Sequence, residues 1–160
     1  MKLNRVAPFL VVVLSVAPAF AGITTYPAAK VSIEAPAGWT TTIKGDQVTV
    51  QDQPGDVAAS FVVVPANTID AASRAAGQSL ARVITNITVQ EDQKATVNGM
   101  KAEFISGDGR LNGTNIDWMV AIMDTPANQD LMAIVIAEDA KLAAHKPEVR
   151  YLFQHIRPTP

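Results

Sequence analysis

Between residues 31 and 64 the pattern of apolar and polar residues predicts four short β-strands. Residues 31–34 place valine and isoleucine on one face and serine and glutamate on the other, which is the period of a half-buried strand. Residues 40–44 and 47–51 meet across Gly45-Asp46, a two-residue hairpin connection with glycine first. Residues 58–64 include the run Phe-Val-Val-Val, which is apolar on both faces, so we expect this strand near the centre of a sheet.

The period then changes from that of a strand to that of a helix. Between residues 67 and 85 apolar side chains recur at three- and four-residue spacing, which predicts an amphipathic helix of about 17 residues. Thr68 or Asn67 is placed to cap its first turn. Gly77 lies inside this helix, and we expect it to allow a close approach of the helix to the sheet.

The second half of the chain returns to strands. Residues 87–95 are polar and predict an edge strand, and Asn98-Gly99 and Asn112-Gly113 are strong hairpin turns. Residues 116–123 and 131–137 are two long apolar runs, which are typical of the middle of an antiparallel sheet.

A last helical region follows from residue 137, where acidic residues suit a helix N-terminus. Pro147 falls inside it, so the helix either restarts there with proline in its first turn or is kinked. Arg157-Pro158 then forms a short terminal strand or an extension. Nothing resembling a linker or a repeat interrupts residues 22–160, which we interpret as one α+β domain.

The N-terminus has the three parts of a secretory signal peptide. Lys2 and Arg5 are positive, residues 6–16 are apolar, and residues 19–21 (Ala-Phe-Ala) form a small-x-small cleavage site. We expect residues 1–21 to be removed between Ala21 and Gly22, which gives a periplasmic or secreted protein. An apolar stretch of about 11 residues is shorter than the roughly 20 that a membrane-spanning helix needs, so no membrane span is expected after cleavage.

Composition excludes several classes of function. The 160 residues carry 13 basic and 15 acidic side chains, a balance that provides no basic face for a nucleic acid. The absence of cysteine removes thiol catalysis, disulfides and cysteine-based metal sites. A domain of this size buries enough surface to fold without them.

Catalytic and metal-binding patterns are also missing. The only histidines are His145 and His155, no serine lies in a G-x-S-x-G turn, and residues 106–109 (Ser-Gly-Asp-Gly) are expected to be a hairpin loop. Acidic pairs such as Glu91-Asp92 lack the spacing of a metal site, so no metal, no cofactor and no catalytic residue is predicted. The methionines would suit copper, but on buried strands they are usually core residues.

Three segments resemble a known group. Residues 31–39 (VSIEAPAGW) are similar to the opening motif of the PsbP-like superfamily and of related DcrB-type exported bacterial domains, whose function is unassigned. Residues 97–102 (VNGMKA) and 149–158 (VRYLFQHIRP) are similar to its middle motif and its last helix. The resemblance implies a three-layer α/β/α sandwich with a curved antiparallel sheet. It also implies a binding module rather than an enzyme, since the superfamily includes a photosystem II subunit, a Ran-binding import factor and secretion chaperones, with no shared catalytic set.

Apolar side chains on the sheet supply a candidate binding surface. If helices cover one face of the sheet, the apolar residues of the other face need a second cover or a ligand. The candidate residues are Trp39, Trp118, Met119, Val120 and Met123. Burial of the whole face by the last helix or by the loop at residues 124–130 is the alternative.

Three hypotheses for function remain open at this point. The first is a non-enzymatic adaptor that recognises another envelope protein through its sheet face or adjacent loops. The second is a carrier of a small apolar ligand, and the third is a hydrolase that uses His145 or His155.

Overall fold

The computed structural model describes residues 22–65 and 68–160, and within them it contains ten strands and three α-helices. The predicted signal peptide and Asn67 lie outside the described residues. The strands are β1 (Ile23–Tyr26), β2 (Val31–Glu34), β3 (Thr40–Lys44), β4 (Gln47–Gln51), β5 (Ala58–Val64), β6 (Thr85–Val97), β7 (Met100–Leu111), β8 (Thr114–Asp124), β9 (Asp130–Glu138) and β10 (Ile156–Pro158). The helices are α1 (Ile69–Leu80), α2 (Asp139–Ala144) and α3 (Lys146–Gln154).

The strands form two antiparallel sheets. The large sheet has seven strands in the order β3-β4-β5-β9-β8-β7-β6, so β5, β9 and β8 are interior and β6 is an edge, as the sequence pattern predicts. The small sheet has the order β1-β2-β10. The strand at residues 31–34 therefore exists as predicted, but it pairs with β1 and β10 instead of joining the large sheet.

Each face of the large sheet is covered by its own layer, which makes the α+β sandwich of three layers. Helix α1 packs on one face through a cluster that we call the α1-side core, whose buried members are Ala72, Ala76, Leu80, Ile84, Ile116, Trp118, Val120 and Ile122. Helices α2 and α3 and the small sheet cover the opposite face through the α3-side core, which includes Val31, Ile33, Phe61, Ala121, Met123, Val135, Leu152, Phe153 and Ile156. Burial of each large aliphatic or aromatic side chain contributes about 1.5–3 kcal/mol, so both layers are needed for stability.

Helix α1 begins as predicted and ends earlier. The Thr68 hydroxyl accepts a hydrogen bond from the Ala71 amide, which caps the first turn. The helix stops at Leu80 because the chain turns there to bring Ile84 under the sheet, and Val83 stays exposed. Gly77 lies on the exposed side, and a Cβ there would meet no atom within 4 Å, so the expected close approach to the sheet was wrong.

Strand β7 runs without a break through residues 106–109, so the predicted hairpin loop at this position was also wrong. Gly107 and Gly109 instead allow the backbone of β6, and Ile84 just before it, to lie close to β7. A Cβ on Gly107 would lie 1.8 Å from the Thr88 carbonyl oxygen, and one on Gly109 would lie 2.4 Å from Ile84 Cγ2. The hairpin turn comes three residues later, at Asn112-Gly113, where both residues have positive φ as the Asn-Gly pair requires.

The last helical region consists of two helices. Helix α2 ends at Ala144 and α3 restarts at Lys146 with Pro147 in its first turn, where a missing backbone N–H has no cost. Strand β10 follows and closes the small sheet.

Candidate functional site

The five candidate residues named from the sequence do not form one surface. Trp39, Trp118, Val120 and Met123 are buried, and Met119 is half-buried. Trp118 and Val120 belong to the α1-side core, whereas Trp39, Met119 and Met123 lie on the α3 side. Neighbouring residues of one strand point to opposite faces, so in the described residues these five side chains are divided between the two faces of the sheet and do not share one open face.

An open cavity remains where the cover of the α3 side is incomplete. It has a volume of about 540 Å³ and lies between the outer strands β6, β7 and β8 and the helices α2 and α3. Its size is in the range of small-molecule sites. Met119 and Trp118 are both among the lining residues, but the Trp118 side chain belongs to the α1-side core, so Met119 is the predicted residue whose side chain faces this site.

Apolar side chains from both layers form the floor of this cavity. Phe104 of β7 and Met119 of β8 come from the sheet, and Val149 and Phe153 come from α3. The rings of Phe104 and Phe153 meet edge to face with their centroids 5.7 Å apart. This is a favourable geometry for two aromatic rings, and it joins helix and sheet at the inner end of the cavity.

Charged and amide side chains surround the apolar floor. Lys146 and Arg150 lie one turn apart on α3, and Glu91 and Asp117 line the cavity from the sheet. Within residues 22–65 and 68–160, neither Lys146 nor Arg150 has a carboxylate oxygen within 4 Å. Burial raises the pKa of Asp117, the negative charge of Asp139 raises it further, and Lys146 opposes both.

Strand β6 forms the outer wall of the cavity and is the edge of the large sheet. Eleven of its thirteen residues are exposed, and among the described strands it is hydrogen-bonded to β7 alone. Two register shifts interrupt its pairing between Thr85 and Glu91, whereas the pairing from Glu91 to Val97 is regular. We call the cavity and the adjoining edge of β6 together the β6 groove.

Asn98 fixes the width of the β6 groove at one end. Its side-chain amide donates hydrogen bonds to the carbonyl oxygens of Gln154 and Ile156, at 2.9 Å and 2.7 Å. The tip of the β6–β7 hairpin is therefore attached to the end of α3. Asn98 has positive φ as the first residue of the Asn-Gly turn, so the same residue makes the turn and the attachment.

A second polar cluster lies away from the β6 groove, at the junction of α2 and α3. His145 Nε2 is 3.5 Å from an Asp52 carboxylate oxygen, and His145 Nδ1 is 3.9 Å from Glu148. The other Asp52 oxygen accepts a hydrogen bond from the buried Val57 amide at 3.0 Å. The ring of Trp39 packs edge-on against His145. This cluster connects the β4–β5 loop to the junction of α2 and α3.

The two histidines have different surroundings in the part of the chain that the structure describes. His145 contacts carboxylates and a tryptophan, and His155 stacks on Tyr151 with ring centroids 3.8 Å apart. His155 Nδ1 lies 2.8 Å from the Tyr151 carbonyl oxygen. Across residues 22–65 and 68–160 no three histidine, aspartate or glutamate side chains form a group that could hold a metal ion. Over the same ranges no helix combines the length and apolarity needed to cross a membrane.

Sequence reasoning missed most of the β6 groove. It assigned Val149 and Phe153 to the last helix, but it gave no role to Phe104, Lys146 or Arg150. The four-residue spacing of Lys146 and Arg150, which places both on one side of a helix, could have been recognised in the sequence. Their position opposite an incompletely covered strand could not be predicted, because it depends on how α3 packs against β6.

The comparisons with known proteins find similarity in fold and not in sequence. No family model matches the chain, and no curated protein matches it. The solved structure of cyanobacterial PsbP (CyanoP) from Synechocystis is 10% identical, covers 87% of this chain and 94% of its own, and superimposes with a TM-score of 0.63. LpqN of Mycobacterium tuberculosis, described as involved in cell envelope biogenesis, is 13% identical with a TM-score of 0.56 and coverage of 81% and 83%.

A third solved structure has the same arrangement. A Pseudomonas aeruginosa protein of unknown function, PA94, is 14% identical with a TM-score of 0.53, and the match covers 86% of this chain and 98% of that one. Identities this low carry information about the fold alone. They agree with the PsbP-like α+β architecture that residues 31–39 indicated.

Proposed function

We propose that this chain is an exported, non-enzymatic adaptor that recognises another protein of the cell envelope through the β6 groove. The observation that carries the proposal is an open cavity with an apolar floor and a charged rim beside a strand edge with no neighbour in the described fold. Apolar surface that is rimmed by polar groups is characteristic of interaction sites. Elsewhere the large sheet is covered, so this groove replaces the sheet face as the expected surface.

Export and the envelope location rest on the N-terminal pattern and on one comparison. Residues 1–21 have the composition of a cleaved signal peptide, and a protein of similar fold, LpqN, is described as involved in cell envelope biogenesis. Membership of the DcrB-type group is part of the same proposal. The non-enzymatic part of the proposal is supported by the hydrogen bonds of the described residues, among which no serine hydroxyl pairs with His145 or His155.

The test is affinity capture of the tagged protein, expressed with its own N-terminus, from cross-linked cells. The groove variant carries Lys146→Glu and Arg150→Glu, both at exposed positions, and the matched control carries Lys44→Glu on the opposite edge strand β3. We expect one envelope protein to be enriched with the wild type and the control and lost with the groove variant. Intact-mass measurement of the captured protein should show a mature chain that begins at Gly22.

Two results would contradict the adaptor. One is capture without any reproducible partner, and the other is a partner that the groove variant retains fully. Hydrolysis of an ester or amide substrate that His145→Ala abolishes would contradict the non-enzymatic part of the proposal.

The cavity volume favours one other function, which is carriage of a small apolar ligand. A space of about 540 Å³ lined by Phe104, Met119 and Phe153 suits a molecule with an apolar body. Native mass spectrometry of gently purified protein would show a stoichiometric small molecule if this function is correct. Apoprotein alone, together with a captured envelope protein, would favour the adaptor.

A further inference from the structure

We infer that the partner binds by strand addition: an extended segment of another polypeptide pairs with residues 91–97 of β6 and inserts alternate apolar side chains into the cavity. An acidic side chain of the same segment lies beside Lys146 and Arg150. This inference rests on the proposed function, since it describes how the adaptor would hold its partner.

The backbone of β6 provides the first argument. An edge strand presents a row of N–H and C=O groups without partners, and these groups pair readily with an added strand. The register shifts before Glu91 bend the first part of β6 and make it a poor template. The regular part spans residues 91–97, which is roughly 23 Å at about 3.3 Å per residue and is long enough for a typical strand.

The position of the cavity provides the second argument. The side chains of Glu91, Gln93, Ala95 and Val97 lie on the cavity side of β6 and line it. A strand added beside β6 would run about 4.8 Å from it, on the side away from β7. Every second side chain of that strand would project from the same face of the sheet as Phe104 and Met119, and an apolar side chain beside Ala95 would lean over this short residue into the outer end of the cavity. Backbone pairing at the sheet edge and side-chain insertion at the outer end of the cavity are therefore compatible.

Charge specifies the partner further. Lys146 and Arg150 carry positive charges with no carboxylate within 4 Å in the described residues, and they stand beside an apolar floor. An acidic residue in the added segment would pair with them. A second copy of β6 is a poor occupant, because antiparallel pairing of residues 91–97 with themselves, centred on residue 94, would place Lys94 opposite Lys94.

The experiment uses a panel of nine-residue peptides in which valine alternates with polar residues and one glutamate is moved along the sequence. Binding to the full mature chain is measured by titration, and hydrogen exchange of the backbone amides is followed by NMR. We expect saturable binding that protects the outward amides of residues 91–97. Replacement of the peptide glutamate by lysine should weaken binding on the order of tenfold, since it exchanges an attraction for a repulsion.

Matched variants separate the parts of the inference. Arg150→Glu should reverse the preference for acidic over basic peptides, with Lys146→Glu as a second variant, and Lys44→Glu should leave both affinities unchanged. Methylation of the peptide nitrogens on the pairing edge should abolish binding, whereas methylation of the alternate nitrogens should not.

Several outcomes would overturn strand addition. Absence of protection in β6 with every peptide of the panel is one, and perturbation confined to α3 and the cavity is another. Concentration-dependent dimerisation of the chain that protects β6 would identify a second copy as the occupant. If the captured envelope protein binds without protecting residues 91–97, strand addition is wrong while the adaptor function stands.

Discussion

Alanine at Gly107 and at Gly77 should change the stability in opposite directions. At Gly107 the added Cβ would lie 1.8 Å from the Thr88 carbonyl oxygen and 2.8 Å from the Trp118 ring. An ordinary contact needs about 3.4 Å or more, so β6 must move away from β7. At Gly77 the added Cβ would meet no atom within 4 Å, and the residue lies in the interior of α1.

The expected magnitudes follow from these contacts. Overpacking against a backbone carbonyl and a rigid ring costs typically 1–3 kcal/mol, and the short contact at Gly107 places its alanine variant near about 3 kcal/mol of destabilisation. Gly77→Ala should instead stabilise the protein by about 1 kcal/mol, because alanine is the better helix former and loses less entropy on folding.

Urea unfolding of the wild type and both variants, followed by far-ultraviolet circular dichroism, is the assay. With an m value of about 2 kcal/mol per molar urea, Gly107→Ala should lower the midpoint by about 1.5 M and Gly77→Ala should raise it by about 0.5 M. If the Gly107→Ala variant unfolds at the same urea concentration as the wild type, the close approach of β6 to β7 is refuted. A lowered midpoint for Gly77→Ala would refute the exposed position assigned to that glycine.

Three further substitutions test single contacts by the same assay. Burial raises the pKa of Asp130, so the charged carboxylate destabilises the folded protein. This destabilisation grows as the pH rises from the unfolded-state pKa of about 3.9 through the raised folded-state pKa. The stability of Asp130→Asn relative to wild type should therefore increase over that pH range and stay constant above it, and a relative stability that falls with rising pH would contradict the raised pKa. Thr68→Ala removes the hydroxyl that accepts from the Ala71 amide and should cost about 1 kcal/mol, most of which Thr68→Ser should restore. Asp52→Ala leaves the buried Val57 amide without its side-chain acceptor and should cost about 1–3 kcal/mol, and a cost within error of zero would show that the bond adds nothing.

Much of the local structure was predictable because it depends on neighbouring residues. The two Asn-Gly pairs make turns in which both residues have positive φ, as their chemistry requires. Pro147 falls in the first turn of α3, where proline is tolerated. The polar run at residues 87–95 became the edge strand β6, since it has too few apolar side chains for burial on both faces.

The errors occurred where a pattern has two physical explanations. Glycines at 107 and 109 are compatible with a loop, but they also permit strands to approach closely, and only the positions of Thr88 and Ile84 decide between these. Alternation at residues 31–34 predicts a strand without specifying its partner, so the small sheet was not foreseen. The β6 groove depends on the length of β6 relative to α3, a property of the packed layers that local periodicity does not contain.

The pairing of β2 with β10 has a consequence for the order in which the chain acquires its structure during synthesis. Ile33 pairs with Ile156, so β2 leaves the ribosome long before its second partner exists. Until residue 158 has emerged, β2 keeps an open edge and the α3-side core lacks Ile156, which is fully buried in the finished fold. Contacts between such distant residues form slowly because a large loop must close first. A nascent chain stopped just before residue 156 should therefore remain sensitive to proteases even though almost all of its large sheet is present.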